Sequence, residues 1–282
     1  MKTILVLTDF SINAECAADY ALRLAQKLAA DLLLCNVYRE VPEEQTDYPA
    51  PWTVIAGKNS IEDLGALAAK LKARLDADVA GNSFRPEIAQ CSKEGTIGCV
   101  LNELSKKHDI LLAVISNHQT HFFTEFLSVN HAREIIDGAH FPVLVVPYQV
   151  HFNNFKTIAF ATNLESADVD ALQSLSALAA ACDSKVMVTH VAVNGKDVEA
   201  GRINELIGRL NYPQLSSRVI KNGDVASGLT ALQKETDVDL LALVYRRRNF
   251  FQKLYEGHII PDLLKRPVKP MLIFPHLSYL EE

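Results

Sequence analysis

The 282-residue sequence has few of the features that mark a membrane span, a secreted framework or a disordered chain. No apolar run approaches the roughly 20 residues of a transmembrane helix, and no long apolar core follows Met1 as in a signal peptide. Only 12 glycines and 11 prolines accompany 49% hydrophobic residues, which is ordinary for a folded globular chain. We therefore expect a cytoplasmic protein without a membrane partner.

Cysteine is also scarce. The 5 cysteines, an odd number, are scattered and form no Cys-x-x-Cys pair. This pattern argues against a disulfide framework and against a zinc cage. We expect free, mostly buried thiols.

Positive charge is scarce in the first half of the chain. Residues 151–282 contain 15 basic and 15 acidic side chains, so the net charge of −6 belongs entirely to residues 1–150. Nucleic-acid binding needs a clustered positive surface, and the only local basic run is Arg246-Arg247-Arg248. The sequence predicts no nucleic-acid partner.

Hydropathy alternates between two patterns along the chain. Short apolar runs predict strands at 3–8, 32–37, 86–91, 110–115 and 143–146. Helical spacing of apolar residues predicts helices at 14–30, 61–79, 97–107 and 130–137. This alternation predicts an α/β fold with a parallel sheet and helices on both faces.

The second half repeats the first. Lys2-Thr3-Ile4 recurs as Lys156-Thr157-Ile158 at an offset of 154, whereas Lys93-x-Gly95 recurs as Lys221-x-Gly223 at an offset of 128. We infer two tandem domains, 1–148 and 155–282, joined by a short linker at 148–154. The fall in offset predicts an extra segment around 38–60 in the first domain.

In each domain, one loop follows the fourth predicted strand. Residues 116–130 and 244–258 align without a gap, so Phe122-Phe123 falls on Phe250-Phe251. Open α/β sheets bind ligands at the carboxyl ends of their strands. The loops are therefore the first place to look for a site, with the Phe pairs serving either packing or base stacking.

Several segments together resemble the universal stress protein family. They are Thr8-Asp9-Phe10-Ser11 after the first strand, a long alanine-rich helix, the Asn/His-Val end of the second strand, and a closing Pro-Val-Leu-Val-Val-Pro. The resemblance covers nearly the whole chain as two tandem domains. It implies two five-stranded parallel sheets of the Rossmann-type adenine-nucleotide α-hydrolase fold, and ATP or another adenine nucleotide as the ligand. It also implies pairing of the domains through their last strands, as in a homodimer; a further homo-oligomer and a regulatory protein partner stay open.

ATP-binding members of this family carry Gly-x2-Gly-x9-Gly-Ser/Thr after the fourth strand, because glycines let backbone N–H groups approach the phosphates. The corresponding residues here are Ser116, Gln119, Val129 and Asn130 in the first domain, and Val244, Arg247, Gly257 and His258 in the second. The first domain keeps no glycine and the second keeps one. The sequence predicts weak or lost ATP binding.

Further candidate ligand residues come partly from the same resemblance and partly from the basic run in the second domain. They are Thr8, Asp9 and Val37 in the first domain, and Asn163, Val191, Arg246, Arg247, Arg248, Gly257 and His258 in the second. Asp9 either contacts a ribose or adenine or caps the first helix, a role for which Ser11 competes. The three arginines either clamp a phosphate or carboxylate or form a solvated loop or a surface ion pair.

No catalytic nucleophile, HExxH or Walker-type motif is present. His118, His121 and His131 could hold a metal, but their spacing matches no helix-bound pair, which favours surface histidines. We predict a non-enzymatic stress-response or regulatory module without a metal. The alternatives are a sensor of an anionic ligand in the second domain and a nucleotide hydrolase, which the missing phosphate-binding residues disfavour.

Overall fold

The computed structural model describes residues 1–38, 60–77, 84–117, 128–165, 167–193, 200–235, 237–245, 263 and 267–275. The chain divides into two compact units, Met1–Phe152 and Asn153–Glu282. The boundary falls inside the segment predicted to be the linker. Nearly all of the extra segment predicted around 38–60 lies outside the described residues.

The first unit alternates strands and helices: β1 (Thr3–Leu7), α1 (Ile12–Leu28), β2 (Asp31–Tyr38), α2 (Ser60–Ala77), β3 (Ile88–Glu94), α3 (Ile97–Lys107), β4 (Ile110–Ser116), α4 (Ser128–Gly138) and β5 (Val143–Val146). All its strand pairs are parallel, in the order β3-β2-β1-β4-β5. The predicted α/β fold with a parallel sheet is confirmed.

The second unit has the same plan: β6 (Thr157–Ala161), α5 (Ala167–Cys182), β7 (Lys185–Val193), α6 (Ala200–Gly208), β8 (Leu215–Asn222), α7 (Val225–Glu235), β9 (Leu240–Tyr245) and β10 (Met271–Pro275). Its strand order is β10-β9-β6-β7-β8, again with parallel pairs. Each strand therefore has the neighbours of its counterpart in the first unit.

The core of each unit lies along its central strands. Ile4, Leu5 and Val6 of β1 have no exposed surface, because a parallel strand covered on both faces buries successive side chains. The outer strand β3 runs at 88–94 rather than at the predicted 86–91. Its second half, Ser92 to Glu94, is polar, yet it pairs in register with β2 as far as Tyr38. Backbone pairing extends the strand beyond its apolar run.

Helix α1 begins two residues earlier than predicted because Ser11 caps it. The Ser11 Oγ accepts a hydrogen bond from the Ala14 N–H at 3.2 Å, which satisfies one of the free donors of the first turn. The helix ends at Ala29, whose φ of 49° is left-handed. Its alanines Ala17, Ala18 and Ala21 are almost completely buried, because their small side chains permit close packing.

The helices of the first unit pack in pairs. Right-handed crossovers place α1 and α2 on one face of the sheet and α3 and α4 on the other, and each of these two pairs is in contact. Lys70 of α2 forms an ion pair with Glu15 of α1 at 2.6 Å. Between α3 and α4 the contact is much closer, because a Cβ added at Gly138 would lie 3.0 Å from the Gly98 Cα.

The cysteines differ in exposure more than the sequence predicts. Cys35 and Cys182 are buried, Cys16 and Cys91 are half-buried, and Cys99 is exposed. The expectation of mostly buried thiols is therefore wrong for Cys99, because apolar neighbours along the chain do not determine which side of a helix faces solvent. Among the described helices, none is long and apolar enough to cross a membrane.

The Gly98–Gly138 contact predicts the effect of a small substitution. We expect Gly138→Ala to lower the free energy of unfolding by about 1–3 kcal/mol, because the new methyl group overpacks a backbone contact that cannot move as a side chain can. Gly65→Ala, also in a helix but with no atom within 4 Å of the added Cβ, should instead stabilise by about 0.5–1 kcal/mol. Urea denaturation measures both. Equal stability of the two variants would contradict the close helix contact.

Candidate functional site

A crevice is expected where neighbouring strands send their connections in opposite directions. In the first unit these strands are β1, which leads through α1 to β2 on one side, and β4, which leads through α4 to β5 on the other. Ligands of open α/β sheets bind outside the carboxyl ends of such strands. Val6 pairs with Val114, so Thr8 and Ser116 lie two residues further along adjacent strands. The structure thus brings two predicted site residues to one edge.

A hydrogen-bonded turn follows β1. The Thr8 N–H donates to the Cys35 carbonyl at 3.0 Å, and the Thr8 Oγ1 accepts from the Phe10 N–H at 3.0 Å. Phe10 has a left-handed φ of 63°, a conformation that costs about 1–2 kcal/mol for a residue with a Cβ. The hydrogen bonds of the turn offset this cost.

Asp9 is part of this turn but is not the cap of α1. Its Oδ1 accepts from the Ser11 N–H at 3.1 Å, while Ser11 itself caps the helix. The cap alternative for Asp9 is therefore wrong, because Ser11 stands directly before the first helical residue, Ile12, and Asp9 stands two positions further away. The Asp9 carboxylate remains half-buried at the crevice.

Asn36 fixes the turn from the next strand. Its Nδ2 donates to the Thr8 carbonyl at 2.8 Å, and this bond is buried. Its Oδ1 is also buried, and no hydrogen bond to it is found among the described residues. A buried acceptor without a donor costs about 1–3 kcal/mol, so a donor from a ligand or a water would be favourable at this point. Val37, the next residue, is buried.

The second unit repeats the hydrogen bonds of the threonine in this turn. The Thr162 N–H donates to the Thr189 carbonyl at 2.9 Å, and the Thr162 Oγ1 accepts from the Leu164 N–H at 2.9 Å. Leu164 has a φ of 66°. His190 takes the place of Asn36, because its Nδ1 lies 2.9 Å from the Thr162 carbonyl. A carbonyl can only accept, so Nδ1 carries the proton.

The charge of the second turn is arranged differently. Asn163 replaces Asp9, and its side chain donates to Glu165 at 2.7 Å. The acidic group is instead Asp168, which is only 2% exposed. Its Oδ2 accepts from the Thr162 hydroxyl at 2.5 Å and from the Asn163 N–H at 3.2 Å. The buried carboxylate thus receives the charge-assisted bonds that burial requires.

A cation also contacts this turn. The Arg202 guanidinium of α6 donates to the Leu164 carbonyl at 3.4 Å. Val191, at the end of β7, is buried like its counterpart in the first unit. The second turn therefore combines a neutral Asn163 bonded to the exposed Glu165, a buried Asp168 and a nearby guanidinium.

Several predicted site residues lie outside the described part of the chain. These are His118, Gln119, His121, both Phe pairs, Arg246, Arg247, Arg248, Gly257 and His258, together with the side chains of Val129, Asn130 and His131. Ser116 and Val244 are described, at the ends of β4 and β9, and both are half-buried.

Sequence reasoning did not single out Asn36, His190 or Asp168. Asn36 and His190 recur at the repeat offset of 154, and this recurrence of a hydrogen-bonding side chain at a strand end could have identified them. Asp168 has no such signal, because Ala14 stands at the same offset in the first domain.

Two doubly wound α/β units, each with a reversal of strand order at which a ligand crevice is expected, define a tandem Rossmann-like protein. The model of the family described as "Universal stress protein family" matches residues 1–147, which is more than half of the chain. The chain belongs to the universal stress protein family, and the resemblance seen in the sequence is confirmed.

Known relatives agree with this assignment. Universal stress protein A of Salmonella typhi is 26% identical over 146 residues, which cover 52% of this chain and 94% of that protein. A universal stress protein from Archaeoglobus fulgidus DSM 4304 has a TM-score of 0.67 at 13% identity and covers 96% of this chain and 97% of its own. A putative universal stress protein from Pseudomonas aeruginosa UCBPP-PA14 has a TM-score of 0.57 at 12% identity. This match covers 97% of this chain and 92% of that protein. The two solved structures extend the likeness of fold to both units.

The buried bond between Asn36 and Thr8 can be tested directly. We expect Asn36→Ala to lower the free energy of unfolding by about 1–3 kcal/mol, because the Thr8 carbonyl loses its buried donor. The matched control is His190→Asn, which installs in the second unit the donor that the first unit uses and should change stability far less. Chemical denaturation compares them. An Asn36→Ala variant with an unchanged free energy of unfolding would show that this bond does not hold the turn.

Proposed function

We propose that the protein is a cytoplasmic, non-enzymatic regulatory member of its family whose first crevice has lost strong ATP binding. The observation that carries the proposal is the set of residues at the three glycine positions of the family motif, which here are Ser116, Gln119 and Val129. Each adds a side chain where the motif needs bare backbone close to a phosphate.

The described end of β4 supports this interpretation. The Asn117 N–H donates to the Val146 carbonyl at 3.0 Å, so this backbone donor is used within the sheet. Asn117 is also only 2% exposed. The sequence after it has no glycine at the motif positions, so side chains stand where the motif needs bare backbone close to a phosphate.

The other half of the crevice has kept its polar groups. Asp9 is half-buried beside the turn, and the Asn36 Oδ1 is a buried acceptor without a described donor. A hydroxyl or amino group of a nucleoside would suit both. The proposal is therefore a crevice that retains contacts for a nucleoside and has lost those for a triphosphate.

Calorimetric titration of nucleotide-free protein with ATP tests this directly. We expect a dissociation constant weaker than about 1 mM, which corresponds to a binding free energy of about −4.1 kcal/mol or less in magnitude. A variant that restores the motif, with Ser116→Gly, Gln119→Gly, Val129→Gly and Asn130→Ser, should bind ATP at least about tenfold more tightly, since each factor of ten is about 1.4 kcal/mol.

The same variant supplies the control. Adding Asp9→Ala to it should reduce the regained affinity if ATP occupies this crevice. Submillimolar affinity of the unmodified protein would contradict the proposal. Steady phosphate release by the unmodified protein, abolished by Asp9→Ala, would support the hydrolase alternative instead.

A second candidate function concerns the second unit. Asn163 stands where Asp9 carries a carboxylate in the first unit, Glu165 hydrogen-bonds its side chain, and Arg202 already contacts the turn. Arg246, Arg247 and Arg248 follow directly after β9, whose carboxyl end lies next to that of β6. Guanidinium groups suit phosphates and carboxylates. We propose that this crevice binds a small anion, with Asp168 holding the turn rather than the ligand.

Pyrophosphate serves as the probe for this site. We expect it to raise the melting temperature of the protein, because a ligand that binds only the folded state stabilises it. The triple variant Arg246→Ala, Arg247→Ala, Arg248→Ala should lose most of the shift. The control variant Lys27→Ala, Lys72→Ala, Lys106→Ala removes three exposed cations of the first unit and should keep it. Equal shifts in both variants would exclude the arginines as the site.

A further inference from the structure

Two cysteines face each other across neighbouring strands of the first unit. Cys35 of β2 and Cys91 of β3 are direct partners in the parallel register. Neighbouring strands lie about 4.7–4.9 Å apart, which is within the range of about 4.4–6.8 Å that disulfides show between Cα atoms. Partnered residues of a parallel pair also point to the same face. The two thiols are therefore placed to react with each other.

The two thiols have different surroundings. Cys35 has no exposed surface, whereas Cys91 is half-buried in an outer strand. An oxidant from solvent thus reaches Cys91 first. Cys35 stays protected behind it and is available for a second step.

Charge and hydrogen bonding favour the thiolate form of Cys91. The Cys35 thiol donates a hydrogen bond to Cys91 and, together with the charge of Lys93, lowers the Cys91 pKa. This hydrogen bond and burial raise the Cys35 pKa well above its usual value. Lys93 is held in place by an ion pair with Glu103 at 2.8 Å. The thiolate is the reactive form of cysteine.

We propose that Cys35 and Cys91 form a dithiol that hydrogen peroxide oxidises to an intrachain disulfide beside the first crevice. The Cys91 thiolate attacks peroxide, a sulfur–oxygen bond forms, the oxygen–oxygen bond breaks, and the departing hydroxide takes up a proton to become water. The Cys35 sulfur then attacks Cys91, the sulfur–sulfur bond forms, and hydroxide leaves with the Cys35 proton as a second water. Two thiols lose two electrons to one peroxide.

The position of the disulfide gives it a consequence for the crevice. The Cys35 carbonyl accepts the Thr8 N–H at 3.0 Å, and the adjacent Asn36 holds the Thr8 carbonyl. The sulfur–sulfur bond would tie β2 to β3 at the residue whose carbonyl holds the turn that carries Asp9. The oxidation state of the pair is thereby linked to the shape of the crevice edge.

The test uses the full chain, reduced and then exposed to a modest excess of hydrogen peroxide. We expect two of the 5 thiols to become unreactive. A digest under non-reducing conditions should contain one disulfide-linked peptide pair that joins Cys35 to Cys91. Dithiothreitol should restore both thiols. The rate of thiol loss should rise with pH as Cys91 deprotonates. Peptide mapping by mass spectrometry reads out the linkage.

Two variants sharpen the result. Cys35→Ala should leave Cys91 as a sulfenic acid that dimedone traps, and Cys99→Ser, which removes an exposed thiol outside the pair, should still form the linked peptide. If Cys35→Ala does not fold, the map of the unmodified chain decides alone. Five reactive thiols after peroxide, or a linkage through any other cysteine, would overturn the proposal.

Discussion

Each crevice depends on one hydrogen bond. It runs from a side chain at the end of the second strand to the carbonyl of the threonine that follows the first strand. Asn36 makes it to Thr8 in one unit and His190 makes it to Thr162 in the other. It fixes the chain where it leaves the sheet and enters a left-handed residue. Residues 9 and 163 directly follow the two threonines, so this bond also holds the backbone of each predicted ligand residue. The two units thus make the same bond with different side chains.

Around this shared frame the two units distribute charge in different ways. The first keeps a half-buried Asp9 beside the turn, whereas the second has a neutral Asn163 and buries its carboxylate at Asp168 under three donors. One turn thus carries its carboxylate at Asp9, whereas the other has a buried carboxylate at Asp168, an exposed one at Glu165 and the Arg202 guanidinium on the Leu164 carbonyl.

Sequence predicted those parts of the fold that hydropathy determines. Helix α3 and strand β5 begin and end where predicted, because the apolar pattern of each coincides with the hydrogen-bonded segment. Strand β3 differs because its polar end is held by backbone pairing alone. At the site, the repeat located the turns, but it could not decide between Asp9 and Ser11 as the cap, since both residues favour that role. The role of Asp168 could not be predicted, because a buried carboxylate has no sequence signature until its hydrogen-bond donors are known.

The central claim is a family fold whose first crevice has lost its phosphate contacts. Native mass spectrometry of protein purified without added nucleotide tests it most directly, because a site that binds ATP well retains it through purification. The account predicts the mass of the polypeptide alone. An added mass equal to that of ATP, released on denaturation, would contradict it.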